Sequence, residues 1–223
     1  MFYSFWHAIV TGLARFLFAV RIRGREHLPT EGVYILAPSH RSVLDIPFAG
    51  SVTRRRLRFM AKQEIFNGPF WTWVFTELGV VPVDREGNDR AALKAVEGAL
   101  REGEPVVIFP EGTRRAGPVL GPLASGTAYA ALKVGAPIVP VGIGGSDRVI
   151  GRRFGVPWLS PVTIVIGEPI PVAPVEGTVK RSAITALDAE LRTQLQARFD
   201  DARAWAAIRS GGRGPAGEPG QRV

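Results

Sequence analysis

The sequence predicts one α/β domain, built on a mostly parallel, mixed sheet that is flanked by helices. Short apolar runs of strand length alternate with longer segments of helical periodicity, which is the order of elements in α/β folds. Several of these runs lead directly into polar turns, as strands do before their helices in open α/β sheets. Apolar residues make up 46% of the 223 residues, which is enough for a sizeable core.

The first twenty residues are apolar and aromatic and predict a helix. Large apolar side chains recur at helical spacing, and the stretch lacks the basic start and small-residue end of a secretory signal. His7 and Arg15 interrupt it, which argues against a helix that spans the bilayer. Two interpretations remain: a helix in the bilayer interface, which we favour, or a helix packed on the core. The apolar positions are Phe2, Phe5, Trp6, Ile9, Leu13, Phe16, Leu17 and Val20.

The remaining elements follow in chain order. Alternation at 21–24 predicts a short edge strand, and a turn follows from Leu28 to Gly32. Helices are expected from about Val43 to Ser51, from Asn88 or Asp89 to Gly103, from Ser125 to Lys133 and from Ser182 to Ile208. Strands are expected at 33–37, 59–62, 79–85 (running into a polar turn), 106–109, 138–143 and 162–166.

The predicted organisation has three parts: an interfacial helix at 1–20, a domain at 21–209 and a tail at 210–223. The tail is rich in Gly, Pro and Arg, and we expect it to be disordered.

The charge balance indicates an anionic partner. The net charge is +8 and the pI is about 10.7, and residues 1–60 alone carry nine arginines against three acidic residues. This excess lies beside the apolar N-terminus, so we expect an anionic membrane surface rather than nucleic acid. We predict a peripheral protein on the cytoplasmic face of the membrane. Without cysteine, disulfides and thiolate metal sites are excluded.

The polar turn from Ser39 to Asp45 is the main candidate for chemistry. His40 can take a proton near neutral pH, and Asp45 can fix its tautomer and stabilise the imidazolium. A structural interpretation is equally open on this stretch alone. Ser42 and Asp45 also have the spacing of a capping box, and His40 could be a half-buried polar residue with satisfied hydrogen bonds.

Three more polar clusters follow predicted strands. If these strands are parallel neighbours, the clusters converge with His40 on one rim. Gly112 allows close backbone approach to a ligand, and Arg85 and Arg114 offer planar forks suited to phosphate. Glu111 could order an arginine or accept hydrogen bonds from substrate hydroxyls. Each cluster taken singly could be a solvated loop charge. The clusters are Lys62, Asp84-Arg85 and residues 111–115.

Together these stretches resemble the glycerolipid acyltransferase family, specifically the 1-acylglycerol-3-phosphate acyltransferases. The resemblance runs from Gly24 to Ile170, about two thirds of the chain. The H-x4-D pattern alone is weak, but the third block at the correct distance downstream makes the match specific. The four blocks are His40-x4-Asp45, Gly79 to Arg85, Phe109-Pro110-Glu111-Gly112-Thr113-Arg114, and Ile138-Val139-Pro140-Val141.

The resemblance implies a reaction and a role for each block. His40 would be the general base and Asp45 its orienting partner. The reaction would move an acyl group from acyl-CoA or acyl-carrier protein to the sn-2 hydroxyl of 1-acylglycerol 3-phosphate, without a metal or other cofactor. The product, phosphatidic acid, would serve phospholipid synthesis. The residues implied in binding the acceptor's phosphate and glycerol are Lys62, Arg85, Glu111, Gly112, Thr113 and Arg114.

The sequence departs from the family pattern in two places. Leu123-Ala124-Ser125-Gly126 stands where relatives often have Phe-Lys-x-Gly, and Ser39-His40-Arg41 where Asn-His before a neutral residue is common. These departures leave another lysolipid, or an amino-acid lipid, open as the acceptor.

Two other classes of protein share parts of this pattern. A metal-dependent hydrolase would use His40, Asp45, Asp84 and Glu111, but only one histidine lies near the site and no metal-binding histidine pair occurs. A non-catalytic lipid- or phosphate-binding module would need the basic rim but no base.

Overall fold

The computed structural model describes residues 2–62, 67–69, 72–73, 76, 79–83, 89–149 and 160–211. Among these residues the helices are α1 (Phe2–Phe18), α2 (Asp45–Gly50), α3 (Asp89–Arg101), α4 (Gly126–Val134) and α5 (Arg181–Arg209). The strands are β1 (Arg21–Arg23), β2 (Ile35–Pro38), β3 (Arg58–Lys62), β4 (Val80–Val83), β5 (Val106–Val107), β6 (Ile138–Gly144) and β7 (Thr163–Ile166).

The described strands form one seven-stranded sheet in the order β1-β7-β6-β2-β5-β3-β4. Every neighbouring pair is parallel except β6 and β7, which are antiparallel. The prediction of a mostly parallel, mixed sheet flanked by helices is therefore confirmed. The strand at 21–23 lies at one edge of the sheet, as expected.

The core divides into two layers because successive strand residues face opposite sides of the sheet. Leu36, Val107 and Val139 pack on one side, with α1 and α2. Their neighbours in sequence pack on the other side, with α3, α4 and α5. These neighbours are Ile35, Val106 and Ile138.

Helix α5 lies unusually close to β6. A Cβ atom at Gly142 would stand 2.0 Å from the carbonyl oxygen of Arg198, and one at Gly144 would stand 2.4 Å from the backbone of Ala202. Neither position has room for a side chain, so the glycines allow the helix backbone to rest on the strand. This contact fixes α5 across the centre of the sheet.

Several predicted boundaries differ from the structure by one or two residues, and two of them lie next to polar turns. Helix α2 begins at Asp45 rather than near Val43, because the preceding residues form a turn that the Asp45 carboxylate closes. Strand β5 ends at Val107 rather than at Phe109. The Ile108 N–H still bonds to the Leu36 carbonyl at 3.0 Å. The chain then leaves the sheet at Pro110, which has no N–H to donate.

The N-terminal helix combines features of both interpretations weighed for it. Phe18 is buried and meets Phe48 of α2 edge to face, with ring centroids 5.5 Å apart. On another side, Ile9, Leu13 and Phe16 are 42%, 54% and 86% exposed. Insertion into a membrane interface stays a prediction. None of the helices in the described ranges combines the length and hydropathy needed to cross a bilayer.

Candidate active site

Four parallel neighbours in the sheet have their carboxyl ends at one edge. Strands β2, β5, β3 and β4 are adjacent, and His40, Glu111 and Lys62 stand at or just after the carboxyl ends of three of them. Lys62 is level with Val83 of β4, so β4, which belongs to the second block, ends at the same edge. The Lys62 side chain and residues 84–88, including Arg85, lie outside the described residues. Their roles stay predictions.

His40 and Asp45 are held together. His40 Nδ1 lies 3.2 Å from Asp45 Oδ2, and Asp45 is fully buried. The same carboxylate oxygen accepts the backbone N–H groups of Arg41 at 2.5 Å and Ser42 at 2.7 Å. Three donors on one oxygen fix the carboxylate. It can then hold the imidazole in the tautomer that carries its proton on Nδ1.

The capping interpretation is correct in part. In a full capping box, the N-cap side chain accepts the N–H three residues later. Here the Ser42 N–H donates to the Asp45 carboxylate, but the Ser42 hydroxyl accepts the Leu44 N–H at 3.3 Å instead. Asp45 therefore closes the turn before α2 and orients His40 with the same oxygen.

The imidazole ring is fixed on a second side. It stacks on Phe109, with centroids 4.1 Å apart and planes inclined by 29°. The side chain of His40 is 13% exposed, and within the described part of the chain Nε2 has no hydrogen-bond partner. Nε2 is therefore the nitrogen that can take a proton from a bound substrate.

Glu111 forms a buried ion pair with Arg41, a residue that the sequence had not indicated as functional. Glu111 Oε1 accepts Arg41 Nη1 at 2.7 Å and the His40 backbone N–H at 3.3 Å. Its other oxygen accepts the Gly121 N–H at 3.0 Å. Of the two roles considered for Glu111, the geometry shows that it orders an arginine. A contact with substrate hydroxyls remains a prediction.

Arg41 spreads its remaining donors over neighbouring carbonyl groups. Nη1 also donates to the carbonyl of His40 itself at 2.9 Å, and Nε and Nη2 donate to Gly117 and Val119 at 3.2 and 3.3 Å. The guanidinium lies over the Phe199 ring of α5, 4.5 Å from its centroid. Arg41 thus ties the His40 turn, the 117–121 loop and α5 into one unit.

Helix α5 holds the same loop from the other side. Arg192 donates to the carbonyl groups of Gly121 at 2.5 Å and Leu120 at 2.7 Å. Gln196 accepts the Leu120 N–H at 2.8 Å and donates to the Pro118 carbonyl at 3.1 Å. The sequence could show that these residues lie on a helix, but nothing in its periodicity identified a loop more than 70 residues upstream as their partner.

The turn after β5 places three predicted residues next to His40. Gly112 has φ +66°, a backbone conformation that favours glycine, and Thr113 and Arg114 are exposed. The N–H of Arg115 donates to the His40 carbonyl at 3.0 Å, which holds the turn beside the imidazole residue. Arg114 has no ion pair with any residue that the structure describes, so its charge is available to an anionic group.

The site offers general-base chemistry rather than a serine nucleophile. Ser39 is buried, and its hydroxyl accepts the Ile143 N–H at 3.0 Å. Among the described residues, no group of three or more His, Asp or Glu side chains is arranged to bind a metal ion. An oriented imidazole with one unengaged nitrogen, next to an exposed arginine, is suited to activating a hydroxyl on an anionic substrate.

Comparisons with known proteins agree with this chemistry. The family model described as Acyltransferase matches residues 19–144. The 1-acyl-sn-glycerol-3-phosphate acyltransferase of Bacillus subtilis is 27% identical over 180 residues, which cover 79% of this chain and 86% of the relative. A chloroplastic enzyme of the same name from Brassica napus is 33% identical over 155 residues. These residues cover 67% of this chain but only 44% of that relative.

A solved structure has the same fold. It is the crystal structure of the 1-acyl-sn-glycerophosphate acyltransferase from Thermotoga maritima, with a TM-score of 0.70 and 22% sequence identity. The alignment covers 89% of this chain and 81% of that protein. The matched family region spans more than half of the present chain and contains His40, Asp45, Glu111 and Arg114. The chain belongs to the acyltransferase family.

Proposed function

We propose that this enzyme transfers a fatty acyl group to the sn-2 hydroxyl of 1-acylglycerol 3-phosphate and so makes phosphatidic acid. The donor is acyl-CoA or acyl-carrier protein. The observation that carries the proposal is His40, whose Nδ1 is held by the buried Asp45 while Nε2 has no partner among the described residues. The names of the relatives from Bacillus subtilis and Brassica napus support this acceptor.

The geometry suggests direct transfer without an acyl-enzyme intermediate. The hydroxyl of the acceptor has a pKa far above 7, so it attacks a thioester slowly unless a base removes its proton. His40 Nε2 takes that proton as the new C–O bond forms, and Asp45 stabilises the imidazolium. When the tetrahedral intermediate collapses, the C–S bond breaks, and the imidazolium returns the proton to the departing thiolate.

Orientation of the acceptor makes a second contribution to the rate acceleration. A phosphate bound by Arg114, together with Lys62 and Arg85, would hold the hydroxyl at a fixed distance from Nε2. Gly112 and Thr113 would offer backbone and hydroxyl contacts to the same group. Such positioning can contribute more to the rate than the proton transfer itself.

Replacing Arg114 or Arg85 by alanine should raise the KM for the phosphorylated acceptor. Each substitution removes a charge-assisted contact worth about 1.5–3 kcal/mol. Steady-state kinetics with acceptor and donor varied separately measure the effect. The matched control for Arg114 is Arg115→Ala, which removes the same charge from the same exposed turn. A rise in the donor KM, with the acceptor KM unmoved, would show that the two binding sites have been assigned in reverse.

We also propose that the enzyme works at the cytoplasmic face of the membrane as a peripheral protein. The exposed residues Leu13 and Phe16 on α1 would enter the bilayer interface. Deleting residues 2–19 should weaken vesicle binding. Since that deletion would also remove buried Ala14 and Phe18, point substitutions give a cleaner test.

The double variant Leu13→Ser and Phe16→Ser should therefore lose at least roughly 3 kcal/mol of vesicle-binding free energy, because each side chain buries apolar surface. Co-sedimentation measures the loss, and the apolar double variant Leu13→Met and Phe16→Leu should retain binding. Unchanged sedimentation of the serine variant would place the membrane contact elsewhere on the molecule.

An acceptor panel tests the proposed reaction. The purified enzyme is given acyl-CoA or acyl-carrier protein, and each donor is paired with 1-acylglycerol 3-phosphate, other lysolipids and an amino-acid lipid. We expect phosphatidic acid from 1-acylglycerol 3-phosphate to form fastest with at least one donor. Faster acylation of another lysolipid or of an amino-acid lipid would keep the acyl transfer chemistry but replace the acceptor.

A further inference from the structure

A cleft lined by arginines lies at the sheet edge that β1 forms, away from the His40 rim. Its volume is about 290 Å³, and its lining residues are Arg15 of α1, Val20, Arg21 and Ile22 at the start of β1, and Arg25. In the sheet order, β1 is three strands from β2. At about 4.8 Å for each strand, this displacement is roughly 14 Å, so the cleft is separate from the catalytic rim.

The positive charge of this cleft is not balanced by the described residues. Elsewhere in the molecule, arginines pair with carboxylates, as in Arg58–Glu104 and Arg198–Asp201. No such ion pair reaches Arg15, Arg21 or Arg25 within the part of the chain that the structure describes. Burial, together with the nearby charges of Arg15 and Arg54, lowers the pKa of Arg25. An anion in the cleft would relieve this repulsion.

The cleft also presents oriented donors. Arg25 Nη2 donates to the Ser51 carbonyl at 3.1 Å, which fixes the direction of its guanidinium. Among the described strands, β1 pairs with β7 alone, and the Arg21 N–H donates to the Val162 carbonyl at 3.1 Å. Because hydrogen bonds alternate between the two sides of a strand, the Ile22 N–H points to the open edge. The lining of the cleft therefore combines three arginines with one backbone N–H at an open strand edge, a composition suited to a tetrahedral anion.

The surroundings of the cleft favour a lipid as the source of that anion. The exposed apolar residues Leu13 and Phe16 lie within one turn of Arg15 on α1, at about 160° and 100° around the helix axis from it. A helix with exposed apolar side chains on one face and a cationic cleft on another matches the boundary between acyl chains and headgroups. We propose that this cleft binds the headgroup phosphate of an anionic membrane lipid and so anchors α1 at the bilayer surface. The proposal rests on the proposed membrane location, but it does not depend on the acyl acceptor.

The experiment compares single substitutions in the full-length protein. Binding is measured to phosphatidylcholine vesicles with and without phosphatidic acid, and to inorganic phosphate in a separate arm. Arg21→Gln should reduce binding to the phosphatidic acid vesicles by about tenfold, because it removes a charge-assisted contact. Arg21→Lys keeps the charge but loses the planar fork, so it should also bind more weakly than the unmodified protein. Binding to pure phosphatidylcholine should not change.

The matched control is Arg54→Gln. Arg54 is close enough to affect Arg25 electrostatically, but it does not line the cleft, so its loss should have a smaller effect. The proposal would be overturned if Arg54→Gln and Arg21→Gln lost equal vesicle binding while Arg21→Lys bound fully. That result would mean that general electrostatic attraction to the vesicle, and not the cleft, accounts for binding. Inorganic phosphate that binds as tightly as the anionic vesicles would overturn the lipid assignment.

The acyl transfer activity separates this proposal from the proposed function. With substrates dispersed in detergent, Arg21→Gln should retain the kcat of the unmodified protein. If the unmodified protein fails to acylate 1-acylglycerol 3-phosphate, the proposed acceptor is wrong. The vesicle measurement still tests whether the cleft binds lipid phosphate.

Discussion

Replacing His40 by alanine should lower kcat for acyl transfer by about 10²–10⁴-fold, the usual contribution of a positioned general base. Asp45→Asn should also be nearly inactive, but it should lose less than His40→Ala because the imidazole remains. Both variants should fold, which circular dichroism and thermal unfolding can check. The matched control is His27→Ala. His27 bonds to the Ile166 carbonyl through Nδ1 at 2.9 Å and stands outside the candidate site.

A well-folded His40→Ala protein that keeps most of its kcat would exclude His40 as the base. If Asp45→Asn were the more damaging change, the carboxylate would be acting mainly through the turn that it closes at Arg41 and Ser42.

Glu111→Ala should lower the free energy of unfolding by about 3–5 kcal/mol, because it leaves the buried Arg41 guanidinium without its counter-charge. The substitution also removes an acceptor from the His40 and Gly121 N–H groups. Urea denaturation measures the loss. Asp201→Ala is the control, since it breaks an exposed pair with Arg198 and should cost less than about 1 kcal/mol. Similar losses for the two variants would show that the buried pair contributes little to stability.

The sheet and its functional edge were predictable because their signals are local. Most strands appear as apolar runs, β1 appears as a short alternation, and each polar cluster follows its strand within a few residues. His40 and Asp45 lie in one turn, so their spacing allowed the contact, although it left a capping role for Asp45 equally open. The parallel order of β2, β5, β3 and β4 then brings their carboxyl ends to one edge.

The partners of Arg41 were not predictable in the same way. Arg41 and Glu111 are 70 residues apart. Two roles were open for Glu111, and no sequence feature distinguished between them. The 117–121 loop reads as an ordinary connection that contains Gly and Pro. Its attachment to Arg192 and Gln196 depends on the close approach of α5 to β6 over Gly142 and Gly144. Long-range packing of this kind leaves no periodic signal.

Element boundaries were the other source of error. The start of α2 depends on which backbone N–H groups the Asp45 carboxylate accepts, and β5 ends where the chain turns toward Pro110. Both details arise from hydrogen bonding at a turn. Apolar periodicity, which identified the elements, is insensitive to them.

The most direct test of the central claim is the position of the acceptor hydroxyl relative to His40. A crystal structure with 1-acylglycerol 3-phosphate and a non-reactive donor analogue would measure the distance from His40 Nε2 to the sn-2 oxygen. We expect a hydrogen bond of about 2.6–3.2 Å, with the acceptor phosphate at Arg114. An sn-2 oxygen placed beyond the reach of Nε2, or bonded to a different base, would contradict the account.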